Sequence, residues 1–130
     1  MEKVYEFMKK CGTYYLATEE DGQPRVRPFG TVDMFEGRLY IQTGKIKPVS
    51  HQLHANPRAE LCCFDGQKWL RLSGTLVSDD RLAPKEHMLD AYPSLKRMYS
   101  ADDGNTEVFY FKDAAAVFSS FAEPPETIRF

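Results

Sequence analysis

The sequence predicts a mainly β fold in which antiparallel strands close into a barrel, with short helices at its edges. Three tight turns support this prediction, because Asp21-Gly22, Glu36-Gly37 and Asp65-Gly66 each separate two segments of strand-like composition. Strands joined consecutively by such turns favour an antiparallel barrel over a parallel, doubly wound sheet. Aromatic residues make up 13% of the chain, which suits a core built on strands.

Three helical segments are predicted. The first covers 2–10, where apolar residues recur every three or four positions. The second covers 48–55 and places Pro48 in the first turn, where the missing N–H costs nothing. The third covers 84–99 with the same apolar spacing, but Pro93 should kink this helix or split it in two.

About seven strands are predicted, each bounded by residues that favour turns. The first three are joined by tight turns and should form an antiparallel meander. Gly74 is expected to mark a bulge or a sharp bend in the fifth strand. The predicted strands are 13–18, 24–34, 38–43, 58–64, 68–78, 108–111 and 115–121, and a further terminal strand can form at 128–130.

Length and composition indicate one folded domain over residues 1–130. The net charge is −2, with 42% hydrophobic and 28% charged residues, which excludes the disordered and membrane-spanning classes. The chain does not open with an apolar signal segment, and none of its apolar runs is long enough to cross a bilayer, so we expect a cytoplasmic protein without a membrane partner. The near-neutral charge argues against nucleic acid as a partner.

The cysteines and histidines do not predict a metal site or an assembled nucleophile. Cys62 and Cys63 are neighbours and Cys11 is remote, which is not a disulfide framework. There is no CxxC, and the three histidines lack ligand spacing relative to the cysteines. Without a GxSxG motif or a supported Cys/His pair, no catalytic residue can be named, and any redox chemistry would belong to a cofactor.

Arg25 and Arg27 are the first candidate binding residues. They are two positions apart on a predicted strand, so both side chains leave the same face. Two like charges on one face favour an anion between them, and guanidinium groups match phosphate oxygens well, although a solvated strand face is the plain alternative. Pro28 follows directly and predicts an edge or a bulge, where free backbone could meet a planar ring.

The segment Gln42-Thr43-Gly44-Lys45-Ile46-Lys47-Pro48 is the second candidate. A strand ends, a glycine turns the chain and a helix begins, which would aim free N–H groups and the positive end of the helix dipole at one point. A lysine in a short strand-to-helix link is also common as a plain connection. The GxxxxGK[ST] spacing of a P-loop is absent.

Trp69, the only tryptophan, has two interpretations. It can be ordinary packing, or it can line a cofactor edge or a dimer seam, where the indole N–H stays accessible. His51 and His54 share a face of the second helix, where a solvent-facing or packing histidine is the more frequent case. His51 could approach a ligand bound at the helix start, and if the site has a proton donor it would be this residue.

Taken in order, these segments resemble the pyridoxamine 5′-phosphate oxidase-like superfamily of FMN-binding split barrels. The similarity covers nearly the whole chain and is greatest to the small nitroimidazole-resistance and general-stress groups. It is carried by the opening helix and by DGQPRVRPFG, LYIQTGKIKP, HQLHANPRAEL, KWLRLSGTL and ETIRF.

The resemblance implies an antiparallel split β-barrel with short flanking helices, a homodimer, and FMN as the cofactor. Arg27 would reach the phosphate with Arg25 as a helper, and the backbone of Pro28 and Phe29 would meet the flavin ring. The ribityl chain and phosphate would be held by Gln42, Thr43, Lys45 and Lys47. The larger oxidases of vitamin B6 phosphates carry a C-terminal substrate-binding segment that has no match here, so that activity is not expected.

The resulting hypothesis is an FMN-dependent oxidoreductase that acts on a small planar substrate, such as a nitro compound or a quinone, at a dimer-interface flavin. The alternatives are a non-catalytic module that binds flavin, deazaflavin or haem, and a structural dimer whose cations are solvated. These three hypotheses differ in whether the protein binds a cofactor and in whether the bound cofactor catalyses a reaction.

Overall fold

In the computed structural model, which describes residues 1–130, the chain forms one curved antiparallel sheet with three α-helices and one 3₁₀ helix. The helices are α1 (Glu2–Cys11), α2 (Pro48–Ala55), α3 (Leu82–Ala91) and the 3₁₀ helix Pro93–Arg97. The strands are β1 (Tyr14–Glu20), β2 (Gln23–Phe29), β3 (Asp33–Phe35), β4 (Arg38–Gly44), β5 (Arg58–Phe64), β6 (Lys68–Ser78), β7 (Thr106–Ser120) and β8 (Glu126–Arg129).

The strand order is β2-β1-β5-β6-β7-β4-β3, and β8 adds to β7. All neighbours are antiparallel. The sheet therefore forms a split barrel. The ends of its main strand order are β2 and β3, which are joined through residues 30–32, and the short β8 is a further edge strand. This confirms the predicted mainly β class and the split barrel. None of the helices is long and apolar enough to cross a membrane.

The predicted meander of the first three strands is confirmed in part: β1 pairs with β2 and β3 with β4, but the middle strand is not continuous. The segment 24–34 divides into β2 and β3, and β4 pairs with β3 and β7 instead of with β2. Polar and apolar residues alternate again over 31–34, so alternation alone does not reveal the break, although Pro28 predicted an edge or a bulge just before it. It is produced by tertiary contacts of these residues with the rest of the barrel.

The last predicted strands, 108–111 and 115–121, form one long strand, β7. The chain changes register between Ser73 and Thr75, which confirms the bulge expected at Gly74. A Cβ at Gly74 would lie 3.1 Å from the carbonyl oxygen of Lys112, so the close approach of β6 and β7 requires glycine there. The left-handed Asp113 (φ 53°) lies in the same bend.

The main core lies inside the barrel and under α1 and α2. It contains 19 buried residues, among them Val4 and Met8 of α1 and Leu53 of α2. The predicted helix 84–99 is divided at Pro93 as expected, since α3 ends at Ala91 and a 3₁₀ turn follows. That division lets the chain after α3 bend across the barrel opening beside β4.

Candidate functional site

Five of the predicted cofactor-binding residues surround one cleft of about 450 Å³, which we call the cleft throughout. It opens between the end of β2, the end of β4, the start of α2 and the 3₁₀ helix. Its volume falls in the usual range for small-molecule sites, about 300–1,000 Å³. The predicted residues that line it are Pro28, Phe29, Gln42, Thr43 and Lys47.

The floor of the cleft is the link 30–32, and two tyrosines hold it in place. The Tyr14 hydroxyl donates to the carbonyl oxygen of Thr31 at 2.7 Å. The Tyr92 hydroxyl accepts from the N–H of Val32 at 3.0 Å and lies 3.1 Å from the carbonyl oxygen of the same residue. Thr31 Oγ1 in turn accepts from the backbone N–H of Gln42 at 3.1 Å. Burial raises the pKa of Tyr14, so this phenol remains a neutral donor.

The far wall of the cleft is formed by Ser94, Leu95, Met98 and Tyr99, on and just after the 3₁₀ helix. Tyr99 lies close to Gly44, where a Cβ would be 3.3 Å from its Cε1 atom. The missing side chain at position 44 therefore allows this wall to approach β4. Sequence analysis had placed these residues in a helix and not in the site.

Lys47 is the only charged residue that lines the cleft, and it forms no ion pair within the chain. It is the N-cap residue of α2 and precedes Pro48. The N–H groups of Lys45 and Ile46 were expected to be free to bind an anion, but both are already hydrogen-bonded within the chain. The N–H of Lys45 donates to the backbone oxygen of Asn105 at 2.7 Å, and the N–H of Ile46 donates to its side-chain oxygen at 3.2 Å. The Lys47 ammonium is therefore the main group in the cleft that can bind an anion.

Arg25 and Arg27 do leave the same face of β2, but they contact the protein and do not line the cleft. Arg27 Nη1 donates to Thr18 Oγ1 at 2.7 Å, and Nη2 donates to Gln52 Oε1 of α2 at 2.6 Å. Partial burial lowers the pKa of Arg27 from its usual value, although a guanidinium stays charged at neutral pH. Arg25 pairs with Glu20 at 3.2 Å at the surface.

Lys45 and His51 lie on the other side of the α2 start, in a second recess of about 530 Å³ with only polar lining. Lys45 Nζ is 3.1 Å from Asp80 Oδ1. The buried carboxylate of Glu107 forms the base of this recess and bonds Ser50 at 2.5 Å and His54 at 2.6 Å. The structure thus separates Lys45 from Lys47 and does not bring His51 to the cleft.

Trp69 lies on the outer face of the sheet, where its ring centroid is 5.1 Å from that of Phe121. It does not line the cleft of its own chain. The same outer face exposes Tyr15 (54%), Val26 (67%) and Phe64 (57%). These exposed side chains and Trp69 define a largely apolar surface, which we call the outer patch, on β2, β1, β5 and β6. The Arg71–Glu60 ion pair lies on the same face.

The thiols and the metal-ligand types contribute nothing to the cleft. Burial raises the pKa of Cys62 and, more strongly, that of Cys63, so neither thiol is an activated nucleophile. No group of three or more His, Cys, Asp or Glu side chains is placed to hold a metal ion. The chemistry available in the cleft is binding through one ammonium, hydroxyl groups, amides and apolar surface.

A buried polar cluster fixes the start of α3 and so helps to position the far wall. Asp79 accepts from the Tyr40 hydroxyl at 2.8 Å and from Arg81 Nε and Nη2 at 3.0 and 2.8 Å. The hydrogen bonds from Arg81 lower the pKa of Asp79 to about 2, and the bond from Tyr40 adds to this. Arg81 also reaches Glu36 in the β3–β4 turn at 3.3 Å.

Replacement of Asp79 by asparagine is expected to lower the free energy of unfolding by about 1–2 kcal/mol at neutral pH. The folded pKa of about 2 lies below the unfolded value of about 3.9, so the carboxylate stabilises the fold above about pH 4 and loses this effect as the pH falls toward 2. Urea unfolding from about pH 7 to pH 2 should show the difference shrinking. Glu126→Gln, which breaks the exposed pair with Lys3, is the control and should cost under about 0.5 kcal/mol. A difference that does not change with pH would contradict the assignment.

A family model and a solved structure both indicate the same protein family for this chain. A family model described as pyridoxamine 5′-phosphate oxidase matches residues 1–116. A NimC/NimA family protein from Clostridium acetobutylicum is 44% identical, with a TM-score of 0.96 over 100% of this chain and 92% of that one. No curated protein sequence matches the chain.

Two more distant structures share the fold. A pyridoxamine 5′-phosphate oxidase-related, FMN-binding protein from Nostoc punctiforme PCC 73102 is 14% identical, with a TM-score of 0.68 over 99% of this chain and 94% of that one. A haem-binding protein from Mycobacterium smegmatis, also 14% identical, has a TM-score of 0.72 over 97% of this chain and 57% of that one. At this identity the likeness shows the split barrel alone.

Proposed function

This chain belongs to the pyridoxamine 5′-phosphate oxidase family, and within it to the NimC/NimA proteins, and we propose that it is an FMN-dependent oxidoreductase acting on a small planar substrate. The observation that carries the proposal is the cleft, which gathers residues from two separate segments around a single unpaired ammonium. Bound FMN would supply the redox chemistry, and the residues of the chain would bind and orient it.

The residues of the cleft fit a phosphorylated, planar cofactor. Lys47 offers a positive charge that no carboxylate of the chain neutralises, which suits a phosphate. The end of β2 pairs only with β1, so the backbone at Pro28 and Phe29 lies at an open sheet edge, where a ring system can hydrogen-bond. Gln42 and Thr43 line the same cleft and would contact the sugar-alcohol chain.

Arg25, Arg27 and Lys45 remain in the proposal as supporting cations around the phosphate. Arg27 is the better placed of the two arginines, because it is only partly buried and its Nε atom is not used in the bonds to Thr18 and Gln52. A bound phosphate would compete with Gln52 for its guanidinium. Lys45 would have to leave Asp80 to take part.

Flavin is favoured over haem in this chain. A haem site would need an axial ligand, normally a histidine, within the cleft. His54 is bonded to Glu107 and His87 to Asp33 at 2.5 Å, while His51 lines the polar recess. The cleft also contains no carboxylate, so we assign no catalytic acid or base to the chain.

We further propose that the protein acts as a homodimer through the outer patch. Several large exposed apolar side chains on one face of a sheet are unusual on a monomer, and the Arg71–Glu60 ion pair on the same face is already neutralised within the chain. Pro28 lies on the same face as Tyr15, its partner in the ladder, and also lines the cleft, so a second copy on the patch would wall the cleft. A two-fold interface through the outer patch would bring Trp69 of one protomer toward the cleft of the other. In that arrangement, Trp69 would contact the flavin bound by the partner protomer.

Titration of the purified protein with FMN and with riboflavin tests this function. We expect one FMN per protomer and riboflavin binding at least about tenfold weaker, because riboflavin lacks the phosphate and a charged hydrogen bond contributes about 1.5–3 kcal/mol. Bleaching of the bound flavin by NAD(P)H and its reoxidation by a nitroaromatic compound or a quinone would distinguish an oxidoreductase from a non-catalytic carrier. Equal affinity for FMN and riboflavin would contradict the proposal that the cleft binds the phosphate.

A further inference from the structure

We propose that Glu107 of β7 is a positioning residue for the cofactor phosphate, because its buried carboxylate holds the first turn of α2, from which Lys47 reaches the cleft. The inference rests on the proposed FMN function and adds a residue outside the cleft that sets the strength of the phosphate contact. It follows from the hydrogen bonds that join the polar recess to α2 and from the position of Glu107 in the sheet.

The Glu107 side chain is 2% exposed, and both of its oxygens accept hydrogen bonds from other side chains. Oε1 accepts from Ser50 Oγ of α2 at 2.5 Å, and Oε2 accepts from Ser78 Oγ of β6 at 3.0 Å. Oε2 also lies 2.6 Å from Nε2 of His54, one turn further along α2. A carboxylate buried this deeply is stable only when such donors surround it. Two of the three donors belong to α2, so the carboxylate is satisfied only while α2 lies against β7.

Two short connections link Glu107 to the cleft. Ser50, which bonds the carboxylate, also donates its backbone N–H to the carbonyl oxygen of Lys47 at 3.0 Å, and the N–H of Lys47 donates to the carbonyl oxygen of Gly44 at 3.0 Å. Thr43, which lines the cleft, is the direct partner of Glu107 in the β4–β7 ladder. The carboxylate therefore fixes the spacing between the end of β4 and the start of α2, from which Thr43 and Lys47 enter the cleft.

No side chain caps the start of α2. Lys47 is the N-cap residue and forms no side-chain capping bond, and the hydroxyl of Ser50 in the first turn bonds Glu107 instead of the helix. The negative charge of Glu107 beside this turn is also favourable for the helix dipole. Loss of the carboxylate should therefore loosen the first turn and displace the ammonium, and a small displacement is enough to weaken a charged contact.

Fluorescence titration with FMN and riboflavin tests this role. Glu107→Gln keeps the size of the side chain, but an amide cannot accept from all three donors. We expect FMN affinity to fall about tenfold and riboflavin affinity to stay within about twofold, because only the phosphate contact depends on Lys47. In the double variant with Lys47→Ala, FMN affinity should equal that of Lys47→Ala alone, since Glu107 acts through that ammonium. A merely structural role would lower both affinities and would add to the loss in the double variant.

Ser50→Ala and Ser78→Ala form a matched pair that leaves the carboxylate in place. Each removes one hydroxyl that bonds Glu107, but only Ser50 belongs to α2. Ser50→Ala should lower FMN affinity about as much as Glu107→Gln, whereas Ser78→Ala should keep both flavin affinities of the unaltered protein. This pair decides the question even where Glu107→Gln does not fold.

Absence of FMN binding by the unaltered protein would overturn the proposed function together with this inference. If FMN binds more tightly than riboflavin, three results overturn only the positioning role of Glu107. They are equal behaviour of the two serine variants, an equal loss of affinity for both flavins in Glu107→Gln, and a rise in FMN affinity in that variant. The last result would show that the carboxylate acts on the phosphate by charge repulsion and not by holding α2.

Discussion

Replacement of Lys47 by alanine is expected to lower the affinity for FMN about 10- to 150-fold, which corresponds to the loss of one charged hydrogen bond worth about 1.5–3 kcal/mol. Lys47 carries the only charge that lines the cleft, and the amides of residues 45 and 46 already donate to Asn105. In the proposed complex, the phosphate would therefore depend on this ammonium more than the sequence pattern suggests. The affinity for riboflavin should stay unchanged, because riboflavin has no phosphate to lose.

Fluorescence titration of both flavins against both proteins gives a complete cycle for this contact. Lys45→Ala is the matched control, since Lys45 pairs with Asp80 and lines the polar recess. We expect a smaller loss of FMN affinity for Lys45→Ala than for Lys47→Ala. An equal loss in the two variants, or a parallel loss of riboflavin affinity, would show that the phosphate does not bind at Lys47.

Much of this fold could be predicted because its turns are encoded locally. Asp21 and Gly22 have φ of 48° and 86°, and Glu36 and Gly37 have φ of 50° and 73°. Gly favours these left-handed conformations and Asp tolerates them, so Asp21-Gly22 predicts the first hairpin and Gly37 marks the second. The break at Pro93 is similarly a property of one residue.

Strand pairing was harder to predict, because it depends on contacts between distant segments. The separation of β2 from β3 is maintained by Tyr14 and Tyr92, which form hydrogen bonds to the link 30–32. Tyr14 precedes the link in the sequence, and Tyr92 follows it by about sixty residues. Nothing in the local alternation records those bonds. The neighbour of β4 is β7, more than sixty positions away, and this pairing had no signal in the turns between consecutive strands.

The candidate site shows the same division. The two local motifs, 24–30 and 42–48, could be selected from the sequence because charge, glycine and proline cluster there, but their cations Arg25, Arg27 and Lys45 do not line the cleft. The far wall could not be selected, since its residues are apolar and have helical spacing, which predicts packing. Asn105 was not predicted to have a role. Its backbone and side-chain oxygens accept hydrogen bonds from the N–H groups of Lys45 and Ile46, which had been expected to bind phosphate. The one available signal was Pro93, which ends α3 and frees the wall to turn toward β4.

Replacement of Val26 by glutamate should convert the proposed dimer to a monomer and weaken FMN binding, although Val26 does not line the cleft. The side chain is 67% exposed in the isolated chain, so the substitution should cost the protomer fold less than about 0.5 kcal/mol. In a two-fold interface through the outer patch, the same change would bury a carboxylate from each protomer against apolar surface. Breaking association this way typically costs several kcal/mol, because a buried charge without a partner loses its hydration.

Analytical ultracentrifugation gives the mass in solution, and FMN titration of the same sample shows whether the cleft needs its second wall. Leu82→Glu is the control, since Leu82 is also exposed (52%) but lies at the start of α3, outside the outer patch. That variant should keep both the mass and the FMN affinity of the unaltered protein. A Val26→Glu protein that remains dimeric would place the interface elsewhere. A monomer that binds FMN as tightly as the unaltered protein would mean that one chain forms the whole site, and Trp69 would then have no route to the flavin.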